Sequence, residues 1–139
     1  MERTLILIKP DGVKRKIIGN VVSRFENKGL KLVAMKLMLV SEAKAKEHYS
    51  EHALKPFFEG LVSYLTSGPI VAMILEGDNA ILSCRNIAGA TDGSKAAPGS
   101  IRGDFSLNIE ENIVHASDSQ ESYLHEYKIF FNNDEIMDY

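Results

Sequence analysis

Thr4-Leu5-Ile6-Leu7-Ile8-Lys9-Pro10-Asp11-Gly12 is the stretch from which the fold is read. Residues 4–8 form a continuous apolar run, and Lys9-Pro10-Asp11-Gly12 supplies turn formers, so the segment predicts a buried central strand with Lys9 at its end. Working outward, Ile18, Val21, Val22 and Phe25 recur with helical spacing up to the Lys28-Gly29 stop signal. Leu30 to Val40 alternates loosely as a second strand, and Ser41 caps a polar surface helix beginning Glu42-Ala43-Lys44. Pro56 suits a first helical position and predicts a helix to about Thr66, with Phe58, Leu61, Val62 and Leu65 as its core stripe. Phe57 falls roughly 100° off that stripe at 3.6 residues per turn, so core packing does not account for it. Residues 70–75 read as another buried strand, and Asp78 or Asn79 can cap a short helix to about Ala88.

Residues 89–111 hold four glycines and a proline with few apolar positions, and predict a loop longer than compact domains ordinarily use. Ile113 and Val114 continue a last strand with His115 at its exit, and Ser117, Asp118 and Ser119 followed by Glu121 offer helix-capping oxygens. Tyr123, Tyr127 and Phe130 mark the apolar face of a final helix, before a polar tail from Asn132 to Tyr139. This order of elements predicts an α+β sandwich of the split βαβ, ferredoxin-like type. Its four-stranded sheet would be covered on one face by helices.

With 139 residues and 45% hydrophobic content, the chain can bury one ordinary core, so residues 1–139 are expected to be a single domain. No apolar run of about 18 residues is available to span a bilayer, and the N-terminus lacks a signal peptide's pattern, so a cytoplasmic protein is expected. The single cysteine, Cys84, fits a reducing compartment. A net charge of −3 gives no global attraction to polyanions, so nucleic acid is not expected as the main partner. Phosphate binding would have to come from cations gathered locally. Neither a Walker A loop nor a Gly-x-Gly-x-x-Gly turn is present. Lys9, Arg85 and Arg102 are the candidate cations, provided the fold brings them together.

Asn112-Ile113-Val114-His115-Ala116-Ser117-Asp118-Ser119 resembles the active-site signature of nucleoside diphosphate kinases, Asn-x-x-His-(Gly or Ala)-Ser-Asp-Ser, at every fixed position. The resemblance extends over nearly the whole chain. Ile8-Lys9-Pro10-Asp11 matches the family's opening motif, Lys55-Pro56-Phe57-Phe58 and Thr66-Ser67-Gly68-Pro69 match its middle, and Gly89-Ala90-Thr91 with Pro98-Gly99-Ser100-Ile101-Arg102 match its loop. The family fold is of the same type, with a mainly antiparallel sheet.

The resemblance implies a chemistry. His115 would take the γ-phosphoryl group from a nucleoside triphosphate, typically ATP, and pass it to a diphosphate in a ping-pong reaction. A neutral imidazole nitrogen is nucleophilic near pH 7, and its phosphoramidate stays reactive enough to hand the group on. Glu126, supported by Ser117, would fix the imidazole tautomer. Lys9, Tyr49, Arg85, Thr91 and Arg102 resemble phosphate-handling residues, Asn112 and Lys9 would reach the ribose, and Phe57 would stack on the base with little base preference. Mg²⁺ would be carried by the nucleotide phosphates, with Asp118 as a water-mediated contact. Family members assemble as tetramers or hexamers, and the short chain favours a homotetramer. Asp92-Gly93 departs from the family's usual Asn-Pro and predicts a more flexible, more acidic loop. His48, His52 and His125 read as solvated side chains.

Overall fold

The computed structural model describes residues 1–139. Its centre is a four-stranded antiparallel sheet in the order β2-β3-β1-β4. β1 is Glu2–Ile8, β2 Lys31–Met38, β3 Ile70–Gly77 and β4 Val114–Ala116. The two central strands, β1 and β3, pair along their whole length from Glu2 opposite Gly77 to Ile8 opposite Val71. The helices are α1 Pro10–Lys14, α2 Ile18–Asn27, α3 Glu42–His48, α4 Phe58–Leu65, α5 Ala80–Ala88, α6 Ile101–Phe105 and α7 Gln120–Phe130.

Helices cover both faces of the sheet rather than the single face expected. Successive strand side chains point to opposite faces. Leu5 and Leu7 join Val62 and Leu65 of α4 and Tyr123, Ile129 and Phe130 of α7 in one core layer. Ile6 and Ile8 join Val21 and Phe25 of α2, Cys84 of α5 and Ile101 of α6 in the other. This is why residues 5–8 are apolar without alternation: each is completely buried, on one side or the other.

Local signals explain most boundaries. α2 stops at Gly29, whose φ of +100° is readily adopted only by glycine. Ser41 and Ser119 cap α3 and α7, accepting from the Lys44 and Ser122 amides. Asn79 does occupy the N-cap of α5 but makes no side-chain bond there; Glu2 Oε1 accepts the Ile81 amide at 2.8 Å instead. α4 begins at Phe58, later than the expected start at Pro56, because the preceding residues are taken by a 3₁₀ turn at Ser50–His52 and further turns. Within 89–111 a short helix, α6, interrupts the expected loop. Ser100 caps it by accepting the Gly103 amide at 3.0 Å.

The C-terminal tail lies along the sheet edge. Val33 falls at a register shift between β2 and β3, and its carbonyl accepts the Met137 amide at 2.8 Å. Lys36 pairs with Glu135 at 3.0 Å and Arg3 with Asp138 at 2.6 Å. The tail thus occupies part of a strand edge that would otherwise offer unpaired backbone groups. No helix is long and apolar enough to cross a membrane.

Candidate active site

The ends of β1, β4 and α3, the middle of α7, and the 89–112 segment converge on a cleft of about 220 Å³. His115 sits in the middle of the three-residue strand β4, opposite Leu7, rather than at the strand's exit. The residue that aims it is Ile113, whose φ of +71° is rare for a β-branched side chain and costs on the order of 1–3 kcal/mol. Two hydrogen bonds hold it there. Asp11 Oδ2 accepts the Ile113 amide at 3.1 Å, and the Ile113 carbonyl accepts the Lys9 amide at 2.7 Å.

The His115 Nε2 lies 3.0 Å from Glu126 Oε1, and the same oxygen accepts the Ser117 hydroxyl at 2.6 Å. A carboxylate at Nε2 selects the tautomer that carries its proton there, leaving the Nδ1 lone pair free of protein partners. Burial alone would raise the Glu126 carboxyl, but the hydrogen bond and attraction of His115 and the bond from Ser117 outweigh it and hold the group below its ordinary value.

Cations gather around this imidazole. Lys9 is half-buried and donates to Asn112 Oδ1 at 2.8 Å. Burial, aided by repulsion from Arg102 and opposed by Asp11, lowers its ammonium to about 8. Asn112 is fixed from its other end, donating to the Thr91 carbonyl at 3.1 Å. Arg85 is exposed and donates to the Ala116 carbonyl at 3.2 Å. Arg102 is only 5% exposed and gives its fork to three carbonyls, those of Asn112 at 3.2 Å, Gly89 at 2.8 Å and Val114 at 2.6 Å. It therefore stitches the 89–112 segment to β4 while still lining the cleft. Burial and the neighbouring Arg85 lower its guanidinium to about 10, so it stays charged at neutral pH.

Tyr49 and Thr91 also line the cleft, and Asp118 stands at its rim with its carboxylate held by the Ser122 hydroxyl at 2.6 Å. Phe57 lies outside the cleft lining, 50% exposed, with its ring 5.6 Å from that of His52. The Asp92-Gly93 turn is not a loose one. Asp92 accepts from the Ser94 amide and hydroxyl, Gly93 donates to the Asn108 carbonyl at 3.1 Å, and a Cβ on Gly93 would meet Ser106 at 2.2 Å. The glycine is there for close packing of the loop on itself.

One residue of the site was misread from sequence. His48 is buried against His115, with ring centroids 4.6 Å apart in an edge-to-face arrangement, and against Phe130 at 5.4 Å. The polar run Glu42 to Glu47 concealed this; the only signal was its place next to the aromatic Tyr49 at the end of α3. His52 is half-buried, and His125 is exposed as expected.

Burial, with His115 nearby, pushes the His48 imidazole down to about 3, against an ordinary 6.5. In the unfolded chain it would take a proton at much higher pH, so stability is full above about 6.5 and is lost as pH falls toward 3. The difference is worth on the order of 5 kcal/mol. A His48→Gln variant should therefore show a flatter loss of stability than wild type over that range in denaturant melts. Parallel curves would contradict the assignment.

Comparison with known proteins identifies the family. The family model described as nucleoside diphosphate kinase matches residues 2–136. The nucleoside diphosphate kinase of Picrophilus torridus is 73% identical over 138 residues, covering 99% of this chain and all of that protein. That of Thermoplasma acidophilum is 62% identical, covering 99% of this chain and 93% of that one. A structure of the halophilic nucleoside diphosphate kinase from Halobacterium salinarum in complex with CDP superposes with a TM-score of 0.97 at 48% identity, covering 99% of this chain and 92% of that one. The chain belongs to the nucleoside diphosphate kinase family and is an enzyme of that kind.

Proposed function

We propose that residues 1–139 act as one kinase domain that transfers the γ-phosphoryl group of a nucleoside triphosphate to a nucleoside diphosphate through a phosphohistidine at His115. The observation that carries this reading is the free Nδ1 of an imidazole whose Nε2 is held by Glu126, in a cleft lined by Lys9, Arg85 and Arg102. In the first half-reaction Nδ1 attacks the γ-phosphorus in line with the departing β-phosphate oxygen, the N–P bond forms as the P–O bond breaks, and the nucleoside diphosphate leaves. The imidazole gains positive character, which the Glu126 carboxylate stabilises and Ser117 helps to position. The second half-reaction reverses these steps with a different diphosphate.

The remaining residues hold the nucleotide. Lys9, Tyr49, Arg85, Thr91 and Arg102 handle the phosphates, Asn112 and Lys9 the ribose, and Phe57 the base. About four negative charges on the triphosphate make this concentration of cations favourable. The residues present fit a metal that arrives with the nucleotide: Asp118 is ionised and reachable by a bridging water, and no carboxylate cage encloses a separate ion. Mg²⁺ bound to the phosphates would spread their charge during transfer.

Incubation with γ-labelled ATP should label the protein in an acid-labile, alkali-stable bond, and the label should move to added GDP. Label that persists in a His115→Ala variant would remove His115 from the reaction. Truncating the exposed Phe57 to alanine should raise KM about tenfold, the value of one stacking contact, and hardly change the melting temperature. A large drop in stability would instead make Phe57 a packing residue.

We place this enzyme in the cytoplasm and expect it to form a homotetramer, with a homohexamer as the alternative. Leu37 and Leu39, 64% and 71% exposed at and just beyond edge strand β2, support assembly of some kind. Light scattering on the purified protein decides the subunit number.

A further inference from the structure

Phosphoryl transfer makes no use of His48, yet His48 forms a second constellation with two residues that it does use. His48, His115 and Glu126 each offer a donor atom, and the three atoms lie within 4.8 Å of one another. His48 is 6% exposed and neutral, and its Nδ1 is enclosed without a hydrogen-bond partner. Two imidazoles and a carboxylate are a donor set that Zn²⁺ takes with a fourth position left open. Mg²⁺ prefers an all-oxygen shell and is not favoured here. Glu126 is already oriented by the Ser117 hydroxyl, as the carboxylate of a metal centre requires.

Tetrahedral zinc with bonds of about 2.0–2.1 Å needs its donors roughly 3.4 Å apart. His115 and Glu126 are already 3.0 Å apart, so only His48 has to draw in, by on the order of 1 Å. We propose that His48, His115 and Glu126 form a transition-metal site, filled by a Zn²⁺-type ion in the absence of nucleotide, that silences the enzyme while occupied. Its inhibitory part rests on the reading of His115 as the nucleophile; the binding part does not.

Coordination at either nitrogen of His115 removes the nucleophile. At Nδ1 the metal takes the lone pair directly; at Nε2 it displaces the proton onto Nδ1, with the same result. The Glu126 carboxylate is drawn to the metal as well, so the group that fixes the reactive tautomer is lost in the same event. Occupied and reactive states of the site are therefore mutually exclusive.

The test uses the untagged full chain, loaded with Zn²⁺ against a chromophoric chelator and freed of excess metal before any nucleotide is added. One Zn²⁺ should bind per chain, and His48→Gln should weaken binding roughly tenfold or more. X-ray absorption on the zinc-loaded wild type should show two imidazoles and one carboxylate, a readout that does not depend on the variant folding. The loaded enzyme should take up no label from γ-labelled ATP and regain uptake after chelation. Absence of stoichiometric binding, unchanged affinity in His48→Gln, or a shell without two imidazoles overturns the site. Full labelling of the zinc-loaded enzyme overturns its inhibitory role. Failure of the metal-free enzyme to label His115 would instead overturn the nucleophile reading, leaving the binding result to stand or fall separately.

Discussion

Replacing His115 by asparagine should lower the rate of GTP formation from ATP and GDP by roughly 10⁴-fold or more, with little change in melting temperature. Asparagine is close to imidazole in size and its amide can still donate to Glu126, so the 3.0 Å contact has a substitute. What it lacks is a nucleophilic nitrogen, since the amide lone pair is delocalised. The magnitude follows from the site's division of labour. Lys9, Arg85 and Arg102 would still bind the nucleotide, but no group in the cleft could open the covalent route. Of the other nitrogen bases near it, the His48 imidazole is buried, and Lys9 is protonated at neutral pH and already bonded to Asn112. A coupled assay together with thermal melts decides the point. Activity within about tenfold of wild type would mean that the reaction does not pass through His115.

Much of this fold was legible from sequence because it rests on local signals. The apolar run at 4–8, the stop at Gly29 and the caps at Ser41 and Ser119 each act within a few residues of themselves. The features that were missed depend on distant partners. α6 has only five residues, too few to show a period, and Ser100 was its one local mark. The tail from Asn132 binds a carbonyl freed by a register shift at Val33, about a hundred residues away, and nothing in its own composition announces that.

The site divides along the same line. Residue types in the His115 segment mark it as the candidate nucleophile, and the family resemblance implies Glu126 as its orienting partner. The structure adds which nitrogen Glu126 takes, and how Ile113 is held in a left-handed backbone conformation to present the histidine. His48 was hidden because its cover comes from β4 and α7, while its own helix is polar on nearly every side. Arg102 is the instructive middle case. The family resemblance implies a role for it at the phosphates, but its three carbonyl partners, which make it part of the scaffold, could not be read from a motif.

Arg102→Met should consequently lose stability and activity together, and by separable amounts. Methionine keeps an apolar stem in the buried position but removes the guanidinium donor from the carbonyls of Gly89, Asn112 and Val114, leaving that of Asn112 only the Val114 amide. Charge-assisted bonds of this kind are worth about 1.5–3 kcal/mol apiece, so their sum exceeds what the variant gains by relieving a buried guanidinium of its desolvation. A net loss of about 3 kcal/mol is expected, or roughly 10 °C in melting temperature for a chain of this size. Well below both melting points, turnover should still be down about 10²-fold, because a cation has left the phosphates and the Asn112 end of β4 has lost its tether. Arg102→Lys separates the two effects. Its compact ammonium restores charge in the cleft but cannot span three carbonyls set out for a planar fork. It should recover a good part of the turnover and little of the melting temperature. A melting temperature for Arg102→Met within about 2 °C of wild type would mean that the fork is not structural. Equal turnover in the methionine and lysine variants would mean that its charge does not act on the phosphates.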